Sequence, residues 1–92
     1  MIVRIAGEGQ YEVPDDLVER LNRLDNDAVA AVEAGDEARF HELFDRMQAL
    51  VHEGSTAVPD DVLVVSEVIL PPADLTFEEA KEEFTGEGLI PG

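Results

Sequence analysis

The sequence is organised around residues 15–54, where apolar residues recur at helical spacing on both sides of a single break. The break consists of Gly35, a residue type that commonly ends helices, followed at once by Asp36, a residue type that caps the start of one. At a rise of ~1.5 Å per residue, the two arms predict helices that are roughly 27–30 Å long. Because so short a connection forces the helices to run antiparallel, this segment predicts a helical hairpin.

Each arm of the predicted hairpin carries one apolar stripe. The first arm begins after Pro14 with Asp15 and Asp16, which suit the positive end of the helix dipole, and its stripe keeps phase through residues 25–27. We therefore expect one uninterrupted first helix, with a kink at the polar residues 25–27 as the alternative. Its stripe comprises Leu17, Leu21, Leu24, Ala28, Ala31 and Val32; that of the second arm comprises Phe40, Phe44, Met47 and Val51, with Leu43 and Leu50 beside it. We expect the second stripe to pack against the first helix.

Strand-like sequence lies on either side of this segment. Before it, β-branched and aromatic residues flank the turn Gly7-Glu8-Gly9, which predicts a β-hairpin. After it, residues 62–70 are compatible with a third strand that is interrupted at Ser66 and Glu67. Pro71 and Pro72 would end that strand, because proline cannot donate a hydrogen bond to a ladder.

A short helix is predicted near the end of the chain. Thr76 and Glu79 have the spacing of a capping box, and the helix would run to about Phe84 and stop at residues 86–88, before an apolar tail. The 92 residues fit one domain. The sequence thus predicts a single α+β domain over residues 1–92, in which a small N-terminal β-hairpin, or a three-stranded sheet, packs on an antiparallel two-helix hairpin with a short C-terminal helix.

The charge restricts the partners of this chain. Twenty-two acidic residues stand against six basic ones, for a net charge of −16. Such a surface disfavours nucleic acid, whose binding needs clustered Lys and Arg, and it disfavours anionic membranes. A basic protein is the favoured partner, with plain solubility as the alternative explanation of the acidity. Without a membrane-length apolar run or a signal-peptide pattern, we expect a cytoplasmic protein with no direct membrane insertion.

Few residues carry potential chemistry. His41, Asp45, Gln48 and His52 share one flank of the second helix, but eleven residues separate the histidines, or roughly 16 Å, which is too far for a single metal ion. No serine stands in a nucleophile-elbow pattern, there is no cysteine, and the many carboxylate pairs fall at predicted helix starts or exposed faces. We therefore expect no enzyme, no catalytic residues, no metal and no cofactor.

The two ends of the chain resemble a known family. The opening residues 1–14, with Gly7-Glu8-Gly9-Gln10-Tyr11, the segment 68–74 with Pro71-Pro72, and the ending Gly86-Glu87-Gly88-Leu89-Ile90-Pro91-Gly92 are similar to the PspA-associated (PspAA) proteins. Those are small bacterial and archaeal proteins tied to PspA, a coiled-coil membrane-remodelling protein of the phage-shock envelope-stress response. The resemblance implies a non-catalytic accessory or adaptor role with a PspA-like partner whose helices carry basic surface, and membrane association only through that partner.

Two candidate surfaces follow for such a partner. The first is the set of acidic residues on the exposed sides of the three helices, namely Glu19, Glu33, Glu37, Glu42, Glu78, Glu82 and Glu83. The second is formed by the end signatures, residues 7–11 and 89–92, although glycine turns and a packed apolar tail explain these signatures structurally, which is the interpretation we favour.

Two other functions stay open on the sequence alone. A small-molecule sensor would use a cleft between the helical hairpin and the sheet, and would need convergent polar groups in a pocket. A self-assembling module would pair through an open sheet edge and form a homo-oligomer.

Overall fold

Seven secondary-structure elements follow one another in the computed structural model, which describes residues 1–59, 61–62, 64–66, 68–84 and 88–89. Two strands precede two long helices, two further strands follow, and a short helix comes last. In order they are β1 (Ile2–Ile5), β2 (Gly9–Glu12), α1 (Asp15–Glu33), α2 (Glu37–Gly54), β3 (Thr56–Val58), β4 (Val68–Leu70) and α3 (Phe77–Glu83). This is the predicted α+β architecture.

The sheet is mixed and has the order β3-β2-β1-β4. β1 and β2 form the predicted hairpin through a turn in which Gly7 has a φ of 81° and the Glu8 N–H donates to the Ile5 carbonyl at 2.9 Å. β3 adds to β2 in the antiparallel sense, whereas β4 adds to β1 in the parallel sense. Val3 and Ile5, on the central strand, are completely buried against the helices.

The outer strands differ in part from the sequence prediction. The strand compatible with residues 62–70 is confined to Val68–Leu70, because β1 offers a partner only from Val3 to Ile5 and Pro71 follows. Val65, in the apolar run before it, is 85% exposed, so apolar composition alone did not bring that residue into the core. β3 was not predicted, since its three residues Thr56–Val58 are too few to show an alternating pattern.

The helical hairpin is confirmed, including the chemistry of its hinge. Gly35 has a φ of 71°, its N–H donates to the Val32 carbonyl at 3.0 Å, and the Asp36 N–H donates to the Ala31 carbonyl at 2.9 Å, which is the Schellman arrangement. The Asp36 carboxylate then accepts from the Arg39 N–H at 3.1 Å and caps α2. α1 is a single helix, as its continuous phase predicted.

The core lies between the helical hairpin and one face of the sheet, and α3 closes one side of it. Phe84 is completely buried, with its ring centroid 5.0 Å from that of Phe40 and 5.9 Å from that of Phe44. The ring centroid of Phe77 lies 6.0 Å from that of Phe40. Four of the chain's five aromatic side chains therefore form one cluster that attaches α3 to α2.

The buried stripe of α1 is rotated from the predicted one. Leu21, Ala28 and Ala31 are buried as expected, but Leu17 and Leu24 are only half-buried, and Asp25 is completely buried among core residues. This rotation leaves two leucines on an outer groove and places a carboxylate inside the protein.

Candidate partner-binding surface

The short helix α3 presents acidic side chains on a rigid base. Its capping box is complete: Glu79 Oε1 accepts from the Thr76 N–H at 3.1 Å, and the Thr76 hydroxyl accepts from the Glu79 N–H at 3.2 Å. Glu78 pairs with Lys81 at 3.2 Å. Glu82 and Glu83 are exposed, and no ion pair among the described residues involves either of them. Both carboxylates are thus available to a partner.

A hollow of about 390 Å³ lies between α3 and the edge strand β4. Its floor is apolar and its rim is acidic, and its lining consists of Ala6, Ile69, Pro71, Pro72, Leu75, Glu79, Glu82 and Glu83. Ile69 is 59% exposed although it is a large aliphatic residue in a strand. In the part of the chain that the structure describes, three carboxylates and no basic side chain border this apolar floor.

The residues beneath the hollow are fixed by hydrogen bonds from the interior. Gln48, a buried side chain of α2, donates from Nε2 to the Pro71 carbonyl at 2.9 Å. The Leu75 N–H donates to the Pro72 carbonyl at 3.0 Å, which forms the turn that leads into α3. The hollow is therefore preformed, and a partner would not have to order it.

This arrangement suits a segment that carries a bulky apolar side chain next to Lys or Arg. The apolar side chain would cover Ile69 and the prolines, and the cations would meet Glu82 and Glu83 at the rim. Interfaces commonly have this form, with an apolar centre and a polar border. The sequence prediction found the acidic helix but missed the apolar floor, because local pattern does not show that β4 lies beside α3 with Ile69 exposed between them.

The other predicted partner-binding residues lie on the helical hairpin. Glu19 and Glu42 are exposed and paired within their own helices, Glu19 with Arg23 at 3.6 Å and Glu42 with Arg46 at 2.9 Å. Glu33 and Glu37 are exposed next to the hinge. Glu19 and Glu33 are fourteen residues apart on α1, or roughly 21 Å. The seven predicted acidic residues thus do not form one patch, and of these seven only Glu82 and Glu83 line the hollow.

The N-terminal signature, residues 7–11, packs its turn against the helical hairpin. His52 Nε2, near the end of α2, lies 2.6 Å from Glu8 Oε2, and the His52 ring meets the ring of Tyr11 edge-on with centroids 5.7 Å apart. These contacts give residues 7–11 a structural role.

The C-terminal signature is attached to the buried Asp25. The Leu89 N–H donates to Asp25 Oδ1 at 3.0 Å, across 64 positions of sequence. Gly88 has a φ of 82°, and a β-carbon there would stand 2.6 Å from Asp25 Oδ2. Only glycine combines this backbone conformation with so close an approach. Residues 90–92 and the predicted stop at 86–87 lie outside the described part of the chain.

The four polar residues on the flank of α2 do not converge. His41 packs edge-on against Phe40, and the buried Gln48 side chain donates to the Pro71 carbonyl. His52 contacts Glu8, while Asp45 is exposed. Among the residues that the structure describes, no group of three or more His, Asp or Glu side chains is arranged to hold a metal ion. None of the described helices combines the length and apolarity that crossing a bilayer requires.

Comparison with known proteins gives one result. No curated protein and no solved structure matches the chain. A family model described as PspAA, PspA-associated protein, matches residues 1–92, which is the whole sequence. The match includes the glycine turn of the β-hairpin, the Pro71-Pro72 segment under the hollow and the C-terminal contact with Asp25. On this full-length match, the chain belongs to the PspAA family of PspA-associated proteins.

Proposed function

We propose that this chain is a non-catalytic adaptor that binds a PspA-like coiled-coil protein in the envelope-stress response, and that the hollow beside α3 is its main contact. The observation that carries the proposal is the exposed Ile69 within a rim formed by Glu79, Glu82 and Glu83. Membership of a PspA-associated family supports the choice of partner. The protein would work in the cytoplasm and reach the membrane through that partner.

Net charge supports the same partner by a different route. A chain of charge −16 attracts a basic surface over long range and so raises the rate of encounter. Glu19, Glu33, Glu37 and Glu42 contribute to this attraction without needing a defined contact. The apolar floor of the hollow then supplies an interaction that salt does not screen. We expect affinity to fall with added salt but not to vanish.

Charge reversal on α3 tests the proposal. We expect the double variant Glu82→Lys with Glu83→Lys to bind a purified PspA-like protein about tenfold more weakly, since it removes two exposed attractions and adds two repulsions. Isothermal titration at 50 mM and 500 mM salt measures this loss. The matched control is Glu12→Lys with Asp27→Lys, which changes the net charge equally at two exposed positions outside the hollow.

A third double variant locates the contact. Glu33→Lys with Glu37→Lys reverses the acidic pair beside the hinge instead. If this variant loses more affinity than the α3 variant, the contact lies on the helical hairpin and the hollow is the wrong site. If the unchanged protein does not bind at either salt concentration, the adaptor function itself is wrong.

A further inference from the structure

A second concave surface lies where α1 and α2 meet, outside their buried stripes. It is a groove of about 570 Å³, and its lining, within the described part of the chain, belongs entirely to these two helices: Leu17, Arg20, Arg23, Leu24, Arg46, Ala49, Leu50, Glu53 and Gly54. Neither the acidic hollow nor any residue proposed above to bind the partner contributes to this lining.

The lining of the groove has more basic than acidic residues, unlike the protein as a whole. Three of the six basic residues of the chain line it, namely Arg20, Arg23 and Arg46, against one acid, Glu53. Arg23 and Arg46 pair with Glu19 and Glu42 on their own helices, but both pairs are well exposed. Exposed pairs of this kind contribute only about 0.2–1 kcal/mol, so either guanidinium can exchange its partner for an incoming carboxylate at small cost.

The floor of the groove has the spacing of a helix-packing seam. Leu17 and Leu24 are seven residues apart on α1, and Leu50 lines the floor from α2, with Arg46 four residues before it and Glu53 three residues after it on the border. Such intervals place side chains in line along a helix, as in coiled coils. Ala49 and Gly54 keep the seam open on the α2 side. A β-carbon at Gly54 would meet Leu17 Cδ1, so a larger residue there would require the leucine side chain to shift from the end of α2.

We propose that this groove binds an amphipathic helix of another protein, whose apolar residues are leucine-like and whose flanks carry Asp or Glu. The concave shape fits the convex face of a helix, and the three leucines would be covered by its apolar stripe. The arginines on both walls would pair with the acidic flanks. The site extends beyond the proposed adaptor function, because the hollow beside α3 selects a basic segment and the groove selects an acidic one.

Two other occupants fit the groove less well. A second copy of this chain offers no free apolar stripe, because the apolar stripes of its long helices are already used in its core. To bind an anionic bilayer, the protein would need a convex apolar face that can insert into the nearly flat membrane surface. These leucines instead lie at the bottom of a groove between exposed arginines.

Fluorescence anisotropy with a labelled synthetic helix tests the assignment on the full chain. The probe is a 21-residue amphipathic peptide with leucine at the a and d positions of each heptad and glutamate beside them; a matched peptide carries glutamine in place of glutamate, so that it does not suit the acidic hollow. We expect the acidic peptide to bind at least about tenfold more tightly than the neutral one, since the arginines of the groove attract only the glutamates.

Two kinds of variant locate the binding. Arg20→Glu with Arg46→Glu should weaken binding of the acidic peptide by about tenfold or more, whereas the matched control Arg4→Glu with Arg39→Glu, at exposed positions outside the groove, should change it by less than about threefold. Ala49→Trp fills the groove with a bulky side chain and should abolish binding without a change of charge. Because Ala49 is exposed, the substitution should not disturb folding. Circular dichroism verifies that each variant is folded.

Three results would overturn the proposal. The first is that the acidic peptide does not bind, or binds equally well to the Ala49→Trp variant. The second is binding to vesicles of phosphatidylglycerol and phosphatidylcholine that is lost in the Arg20→Glu, Arg46→Glu variant, which would assign the groove to a membrane surface. The third is a concentration-dependent dimer in sedimentation that Ala49→Trp disrupts, which would assign it to a second copy of the chain.

Discussion

The contact between Gly88 and the buried Asp25 makes a strong prediction about stability. Substitution of Gly88 by alanine introduces two separate penalties. The backbone there has a φ of 82°, a conformation that costs an L-residue roughly 1–2 kcal/mol. The new β-carbon would also stand 2.6 Å from Asp25 Oδ2 and 2.7 Å from Oδ1, where ordinary van der Waals separation is about 3.5 Å.

The second penalty can be estimated from what must move. To relieve the overlap, the segment has to shift by close to 1 Å, and the 3.0 Å hydrogen bond from the Leu89 N–H to Asp25 is then lost or badly bent. Loss of a hydrogen-bond partner at a buried polar group costs about 1–3 kcal/mol. Together with the backbone penalty, Gly88→Ala should cost about 2–5 kcal/mol, a large share of the 5–15 kcal/mol typical of a whole domain.

The chain itself provides matched controls. Gly7 and Gly35 have φ values of 81° and 71°, and a β-carbon at either one meets no atom within 4 Å. Gly7→Ala and Gly35→Ala should therefore show the backbone penalty alone, about 1–2 kcal/mol each. Urea unfolding followed by circular dichroism measures all three variants, and the difference between Gly88→Ala and its controls isolates the approach to Asp25.

A double-mutant cycle sharpens the result. In an Asp25→Ala background the obstructing carboxylate is absent, so Gly88→Ala should destabilise the protein by at least about 1 kcal/mol less than it does when Asp25 is present. If Gly88→Ala is no worse than Gly7→Ala, or if its cost is the same with and without Asp25, the account of the C-terminal signature as an anchor on Asp25 is refuted.

Three further predictions concern the hinge, the aromatic cluster and the hollow. Asp36→Ala should destabilise the fold by about 1 kcal/mol through loss of the α2 cap, whereas Asp45→Ala, on an exposed face of the same helix, should have little effect in the same urea titration. Phe84→Ala should cost about 3–5 kcal/mol and lower the thermal midpoint steeply, because the ring is completely buried against Phe40. Ile69→Ser should leave the thermal midpoint within a few degrees of the unchanged protein yet weaken binding of a PspA-like protein; unchanged affinity would remove the hollow from the interface.

The helical hairpin could be predicted from sequence because its signals are local. Gly35 and Asp36 determine the hinge through contacts within five residues, and the capping box of Thr76 and Glu79 spans three. Each of these signals needs only the backbone next to it. The existence, order and direction of the helices follow from them directly.

The remaining features depend on residues far apart in the chain. Asp25 begins the polar run 25–27, in which no local pattern marks a buried residue, and its burial becomes intelligible only with the Leu89 N–H, 64 positions away. The rotation of α1 that buries Asp25 also moves Leu17 and Leu24 out to the groove. β3 exists because β2 offers it a ladder partner, which its own three residues do not reveal. The hollow likewise needs β4 and α3 side by side.

The two concave surfaces show why net charge alone is a poor guide to binding. At physiological ionic strength, screening confines strong electrostatic interaction to about 8 Å, so a docked segment responds mainly to the charges around its own site. The overall charge of −16 therefore governs long-range encounter, while Arg20, Arg23 and Arg46 dominate inside the groove. A basic segment in the hollow and an acidic helix in the groove would not compete for the same residues. One small chain could thus hold two oppositely charged segments together, which is a physical basis for adaptor activity without any catalytic group.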